Sequence, residues 1–116
     1  MKYRLFVYGS LKRGFAHHAE LAGASLAGEV RTASGYRLVR QGSYPALSEG
    51  GTATVCGELY LVSSELLERL DVFEGCPKLY QRGRVRLSDG SEALAYVIAS
   101  ALAETFPEIP SGTWNE

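Results

Sequence analysis

Two short stretches of this 116-residue chain hold the residue types from which a reaction site can be built. The first is Val7-Tyr8-Gly9-Ser10-Leu11-Lys12-Arg13-Gly14, an apolar run that breaks into a loop bounded by glycines. Such a loop can turn successive backbone N–H groups toward one point and hold an anion or an oxyanion. Gly9 and Gly14 have the separation of a nucleotide phosphate loop, but Phe15 and Ala16 stand where that motif needs Lys and Ser or Thr. Phosphate binding by that route is therefore excluded. An ordinary strand-to-helix turn also accounts for the glycines. The second stretch is Leu70-Asp71-Val72-Phe73-Glu74-Gly75-Cys76-Pro77-Lys78-Leu79-Tyr80-Gln81-Arg82. Asp71 and Glu74 lie three apart at the expected C-terminus of a helix, where they can share a face and meet the negative end of its dipole. Both influences, and the apolar Phe73 beside Glu74, favour the protonated form, as in a carboxyl that exchanges a proton near neutral pH. The competing reading makes Glu74 a solvated helix-end carboxylate, or a partner of Arg82 or Arg84.

Other reactive side chains have plainer readings. Cys76 is close to Glu74 and could be a nucleophile, but no histidine stands at a fixed spacing to activate it. His17 and His18 are adjacent, so in regular structure they point apart, and without a paired carboxylate motif they read as surface residues. Cys56, on an apolar run, reads as core. Arg82, Arg84 and Arg86 alternate along one strand face, solvated or ion-paired, with Arg82 the one placed to shape a pocket. No cysteine or cysteine–histidine grouping has zinc spacing, and two cysteines are too few for a disulfide framework. Twelve basic against 13 acidic residues give no field for nucleic acid. The N-terminal apolar run is too short for a signal peptide or a membrane span. A cytoplasmic protein without nucleic-acid or membrane partners is expected, and nothing speaks to its oligomeric state.

The elements that must position these residues follow from glycine spacing and apolar period. At 116 residues with 46% hydrophobic content, one compact domain over 1–116 is expected, burying roughly two thirds of the surface of its unfolded chain. Residues 3–8 are apolar on both faces, as in a strand inside a sheet, and stop at Gly9. Residues 15–24 have weak helical character. Extended runs at 28–32 and 36–40 flank a turn at 33–35, and Pro45 keeps 42–47 from being a central strand. Within the strand at 55–62, Gly57 marks a bulge or a close approach. A helix follows, capped by Ser63 or Ser64, with Leu66, Leu67, Leu70 and Phe73 on one face and Gly75 and Pro77 ending it. Asp89-Gly90 predicts a hairpin between 79–88 and 92–100.

Together the two stretches resemble the gamma-glutamylcyclotransferase-like family, whose members share a strand ending in Tyr-Gly-Ser/Thr-Leu and, later, a helix-end Asp-x-x-Glu-Gly followed by Pro, Tyr and Arg. Tyr8-Gly9-Ser10-Leu11 and the 71–82 stretch match both in order and separation. Tyr44-Pro45-Ala46, Gly57-Glu58-Leu59-Tyr60 and Ser111-Gly112-Thr113-Trp114 also resemble the small bacterial members, near the gamma-glutamylamine cyclotransferases. The resemblance implies an α+β fold, a mixed and mostly antiparallel β-barrel with one main helix. It implies a cyclising acyltransfer in which the substrate's α-amine attacks its own γ-carbonyl, releasing 5-oxoproline and an amine without enzyme nucleophile, metal or cofactor. On this likeness Glu74 is the general acid/base. Tyr8, Gly9, Ser10 and Leu11 form the loop that binds a small γ-glutamyl substrate, and Tyr80 lies beside it. The alternatives are a binding module of the same fold without turnover, and an amide hydrolase or acyltransferase working through Cys76.

Overall fold

The computed structural model describes residues 2–76 and 78–116. Pro77, expected to help end the helix, lies outside the described residues. The chain runs β1 (Lys2–Val7), a short 3-10 turn (His18–Leu21), β2 (Ser25–Arg31), β3 (Tyr36–Gln41), β4 (Tyr44–Glu49), β5 (Cys56–Ser63), α1 (Ser64–Phe73), β6 (Gln81–Arg86), β7 (Glu92–Val97) and α2 (Ser100–Ala103). The seven strands form one mixed, mostly antiparallel sheet in the order β2-β5-β1-β7-β4-β3, with β6 paired to β7.

β1 sits inside the sheet because its side chains serve two cores. Phe6 and Tyr8 enter one cluster with Leu38, Leu47, Leu59 and Trp114. Leu5 and Val7, alternating to the other face, enter a second with Leu21, Tyr60, Leu66, Leu67 and Leu70. Tyr3, at the strand's start, is exposed. Gly57 on β5 marks a close approach, since a Cβ there would lie 2.7 Å from the Phe6 ring. The bulge is on the partner strand, where the β2 register slips between Leu26 and Gly28.

The helix forms as its caps dictate. Ser63 Oγ accepts the Leu66 N–H at 3.1 Å. At the other end Gly75 takes φ 71°, its N–H donates to Val72 O (3.1 Å), and the Cys76 N–H reaches back to Asp71 O (2.9 Å). These two bonds are the Schellman pattern, which a β-carbon at residue 75 would strain. Leu66, Leu67 and Leu70 are buried against the sheet, each contributing roughly 1.5–3 kcal/mol of apolar burial. Phe73 does not join them and is 38% exposed. The β6–β7 hairpin is built as Asp89-Gly90 predicts, with Gly90 at φ 87°.

Two expectations are corrected. The sheet is not closed into a barrel. β7 gives one edge to β6 and divides the other between β1, at Leu5 opposite Leu94, and β4, at Leu47 opposite Val97, so the sheet forks. β2 and β6 meet only at their ends, through an isolated Thr32–Leu87 bridge rather than a ladder. The second correction concerns Pro45, which lies within β4, a strand flanked by β7 and β3. The β3 residue opposite it, Arg40, sends its own N–H to Pro107 O (2.8 Å). That makes the Arg40–Pro45 pair non-hydrogen-bonded, so the missing proline donor costs the β3–β4 ladder nothing. Among the described residues no helix is long and apolar enough to cross a membrane.

Candidate functional site

The fork between β1 and β4 is propped by one side chain. The buried Tyr8 hydroxyl donates to Tyr96 O (2.6 Å) on β7 and accepts the Leu47 N–H (3.2 Å) of β4, taking the place of ladder bonds that the diverging strands cannot make. Burial pushes its ionisation well above the usual tyrosine range, with Tyr80 and Glu74 adding, so it stays a neutral strut. Beside it opens a cavity of about 330 Å³, walled on one side by residues 6–11 and on the other by the end of α1 with Leu79 and Tyr80.

The loop wall is held by the chain around it. The His17 N–H donates to Ser10 O (2.9 Å) and its Nδ1 lies 3.0 Å from Ser10 Oγ. His18 Nδ1 donates to Leu11 O (2.8 Å). Lys12 turns away from the cavity to donate to Trp114 O (2.9 Å). The Arg13 N–H donates to Glu58 (2.9 Å), whose carboxylate also takes the Tyr60 hydroxyl (3.0 Å) and Arg13 Nε (3.2 Å). Burial pushes the Glu58 carboxyl up, but these donors outweigh it and hold it below its ordinary value. The amides of Gly9, Ser10 and Leu11 donate to no backbone carbonyl among the described residues. Gly9 permits the loop's approach to β4, since a Cβ there would stand 2.7 Å from Pro45 Cγ.

The helix wall presents Glu74. It is the C-cap residue, with its N–H on Leu70 O (2.8 Å) and its side chain lining the cavity. Burial pushes its pKa up, to about 7, with no hydrogen bond or ion pair among the described residues to offset it. Asp71, one turn earlier, is fully engaged: Arg82 Nη1 spans both its oxygens (3.0 and 3.2 Å) and the Tyr96 hydroxyl donates to it (2.7 Å). The expected mutual effect of the two carboxylates is thus corrected: desolvation, not Asp71, lifts Glu74. Arg82 braces the helix end instead of lining the cavity. The Tyr80 hydroxyl donates to Pro45 O (2.8 Å), and burial, followed by Glu74 and Tyr44, pushes its pKa up to about 12.

A family model described as gamma-glutamyl cyclotransferase, AIG2-like, matches residues 5–116. The chain belongs to that family. A Vibrio cholerae protein provisionally named a gamma-glutamylcyclotransferase is 37% identical over 91 residues, 78% of each chain. Human gamma-glutamylaminecyclotransferase is 40% identical over 92 residues, covering 72% of this chain but only 60% of the human one. The crystal structure of a mouse AIG2-like protein superimposes with a TM-score of 0.80 at 28% identity, covering 99% of this chain and 95% of that one.

Within this cyclotransferase-family fold, every residue singled out from the sequence as part of the site, Tyr8, Gly9, Ser10, Leu11, Glu74 and Tyr80, lines the one cavity. Cys76 does not line it. Burial pushes its thiol up, with the Asp71 and Glu74 carboxylates adding, so the thiolate a nucleophile needs is disfavoured. Cys56 is half-buried rather than core, and lines a separate cleft with Lys12 and Glu58. The histidines, read as surface residues, are a correction: the tight 3-10 turn folds both rings back onto the loop. His17, Gln41, Tyr44, Phe73, Leu79 and Tyr96 also line the cavity. Their signal was their place beside recognised residues: Tyr44 next to Pro45, Phe73 next to Glu74, Leu79 next to Tyr80. Among the described residues no three His, Cys, Asp or Glu gather as metal ligands do.

Proposed function

We propose that this chain is a cyclotransferase that converts a γ-glutamyl amine or peptide to 5-oxoproline and a free amine. The single observation that carries this reading is that Glu74, a carboxyl pushed up to about 7 by burial and without a donor among the described residues, lines one cavity with Gly9, Ser10 and Leu11, whose amides make no backbone hydrogen bond among those residues. The substrate's α-nitrogen attacks its γ-carbonyl carbon and forms the lactam C–N bond. Glu74 takes the proton that this nitrogen sheds, and the carbonyl electrons move onto oxygen, where the loop amides meet the developing charge. When the tetrahedral centre collapses, the bond to the leaving nitrogen breaks and Glu74 returns its proton there. Atoms balance without water.

A base near pH 7 is matched to this task, because an α-amine has a pKa of about 8, whereas an ordinary carboxylate takes such a proton poorly. Tyr8 acts by holding the fork open, since both sides of its hydroxyl are spent. Tyr80, neutral at working pH and fixed on Pro45, keeps a lone pair free to accept an N–H of the substrate's neutral α-amine. Incubation with γ-glutamyl dipeptides, γ-glutamylamines and γ-glutamyl-lysine, read out as 5-oxoproline, tests the reading. Product from at least one compound, lost in Glu74→Gln, is expected. Binding without turnover by the wild type would make the domain a binding module instead.

A further inference from the structure

A γ-glutamyl substrate brings two anionic groups to this cavity: the γ-oxygen, where charge develops, and an α-carboxylate that is charged throughout. Among the described residues no lysine or arginine lines the cavity, so the carboxylate depends on other hydrogen-bond donors. The Tyr8, Tyr80 and Tyr96 hydroxyl protons are spent on Tyr96 O, Pro45 O and Asp71. Besides the loop amides, the lining then offers the Ser10 hydroxyl, the His17 ring, the Gln41 carboxamide and the Tyr44 hydroxyl. Of these four, only Ser10 and His17 carry a side-chain hydrogen bond among the described residues, and they hold each other. His17 Nδ1 lies 3.0 Å from Ser10 Oγ, while the His17 N–H donates to Ser10 O (2.9 Å). The ring is also wedged, edge-on to Phe73 at 5.2 Å and tilted to Tyr44 at 6.4 Å. A hydroxyl has one proton and two lone pairs, so the direction of the Ser10–His17 bond decides what Ser10 presents to a ligand. With Ser10 donating to Nδ1, its proton is spent; with Nδ1–H donating to Oγ, that proton is free.

We propose that His17 is a positioning residue: its Nδ1–H donates to Ser10 Oγ and turns the Ser10 hydroxyl proton toward the substrate's α-carboxylate, beside the loop amides. Held in this way, the carboxylate is oriented before the α-nitrogen and γ-carbonyl react. The inference rests on the cyclotransferase reading of the same cavity and adds to it a residue that acts through Ser10 rather than on the reacting atoms.

Two probes isolate the contact: γ-glutamylethylamide, or the γ-glutamyl compound turned over fastest, and the same molecule with its α-carboxylate replaced by a carboxamide. His17→Phe keeps a ring between Phe73 and Tyr44 but no nitrogen. It should lower kcat/KM for the carboxylate probe about 10-fold, chiefly through KM, as loss of a hydrogen bond to a charged group gives. For the carboxamide probe, a neutral acceptor, the loss should be about 3-fold or less. His17→Asn, whose side-chain N–H can stand where Nδ1 does, should restore most of the loss. Ser10→Ala should lose as much as His17→Phe, and joining the two should cost no more than Ser10→Ala alone, because His17 acts through Ser10. His17→Ala serves the same comparison if the phenylalanine ring prevents folding. Equal losses on the two probes, additive losses, no restoration by His17→Asn, or no loss at all would overturn the assignment and leave the cyclotransferase reading standing. No loss is the result if Ser10 is the donor, since removing the ring then frees its proton. If no γ-glutamyl compound yields 5-oxoproline, the cyclotransferase reading fails by itself. Dissociation constants of γ-glutamylethylamide and its carboxamide in the same variants then decide: weakening selective for the carboxylate supports the role of His17, and any other result overturns it.

Discussion

Glu58 and Glu74 show that burial alone does not make a base. Glu58 is only 7% exposed, yet its carboxyl is held below the ordinary value, because the Arg13 amide, Tyr60 hydroxyl and Arg13 guanidinium all converge on it. Glu74, desolvated by the cavity it lines, receives no donor among the described residues and is pushed up to about 7. The first ties down the loop as an anion at neutral pH; the second is left able to exchange a proton inside the cavity. Asp71 repeats the lesson one helical turn from Glu74, since Arg82 and Tyr96 occupy it as Arg13 and Tyr60 occupy Glu58. Chain position and residue type do not separate the carboxylates that are tied down from the one left without donors. The donors brought to them do.

The largest expected effect that would break this comparison is on turnover. Glu74→Gln keeps volume and polarity but cannot accept a proton, so 5-oxoproline formation should fall about 100- to 10,000-fold with substrate binding retained. Asp71→Asn, which weakens only the brace at the helix end, should cost no more than about 10-fold, and equal losses in the two would erase the distinction.

The next effect is on stability and depends on pH. The Glu74 pKa is about 7 folded against about 4.3 unfolded, so the folded state holds the proton more tightly. Stability should therefore fall as pH rises from about 4.3 through 7, then level off. Glu74→Gln removes this penalty: denaturant melts should show the variant more stable than wild type at pH 8, by up to about 4 kcal/mol, and no more stable at pH 4. Glu58 has the opposite sign. Its depressed carboxyl stabilises the fold at neutral pH, and that contribution is lost as pH falls through its folded value. Glu58→Ala, which strands the Tyr60 hydroxyl and Arg13 amide, should cost about 1–3 kcal/mol at pH 7, with the deficit shrinking in acid.

How much of this was legible in the sequence follows the range of each signal. The Tyr8-Gly9-Ser10-Leu11 loop, the Ser63 cap, the Leu66/Leu67/Leu70 face and the Asp89-Gly90 hairpin are local patterns, and each is built as read. Glu74 was legible as a poised carboxyl, but for a partly wrong reason: the partners that neutralise Asp71 come from β6 and β7, beyond any local window. The histidines were missed because the pointing-apart argument holds for a strand or regular helix, not for a 3-10 turn folded onto a loop. Pro45 was misplaced because the rule about its missing donor depends on which edge faces a neighbour, a matter of register. The barrel failed for the same kind of reason, since nothing near β7 in sequence announces that one of its edges is shared by two strands.

Carbon-detected NMR titration of the glutamate side-chain carboxyls between pH 3 and 9 tests the central claim most directly, with Glu74 and Glu58 assigned by loss of their signals in Glu74→Gln and Glu58→Gln. The account predicts a midpoint near 7 for Glu74 and one below the ordinary glutamate value for Glu58 in the same sample. A Glu74 midpoint at or below about 4.3, the unperturbed glutamate value, would contradict it, because that carboxyl would then be no better a base than any on the surface.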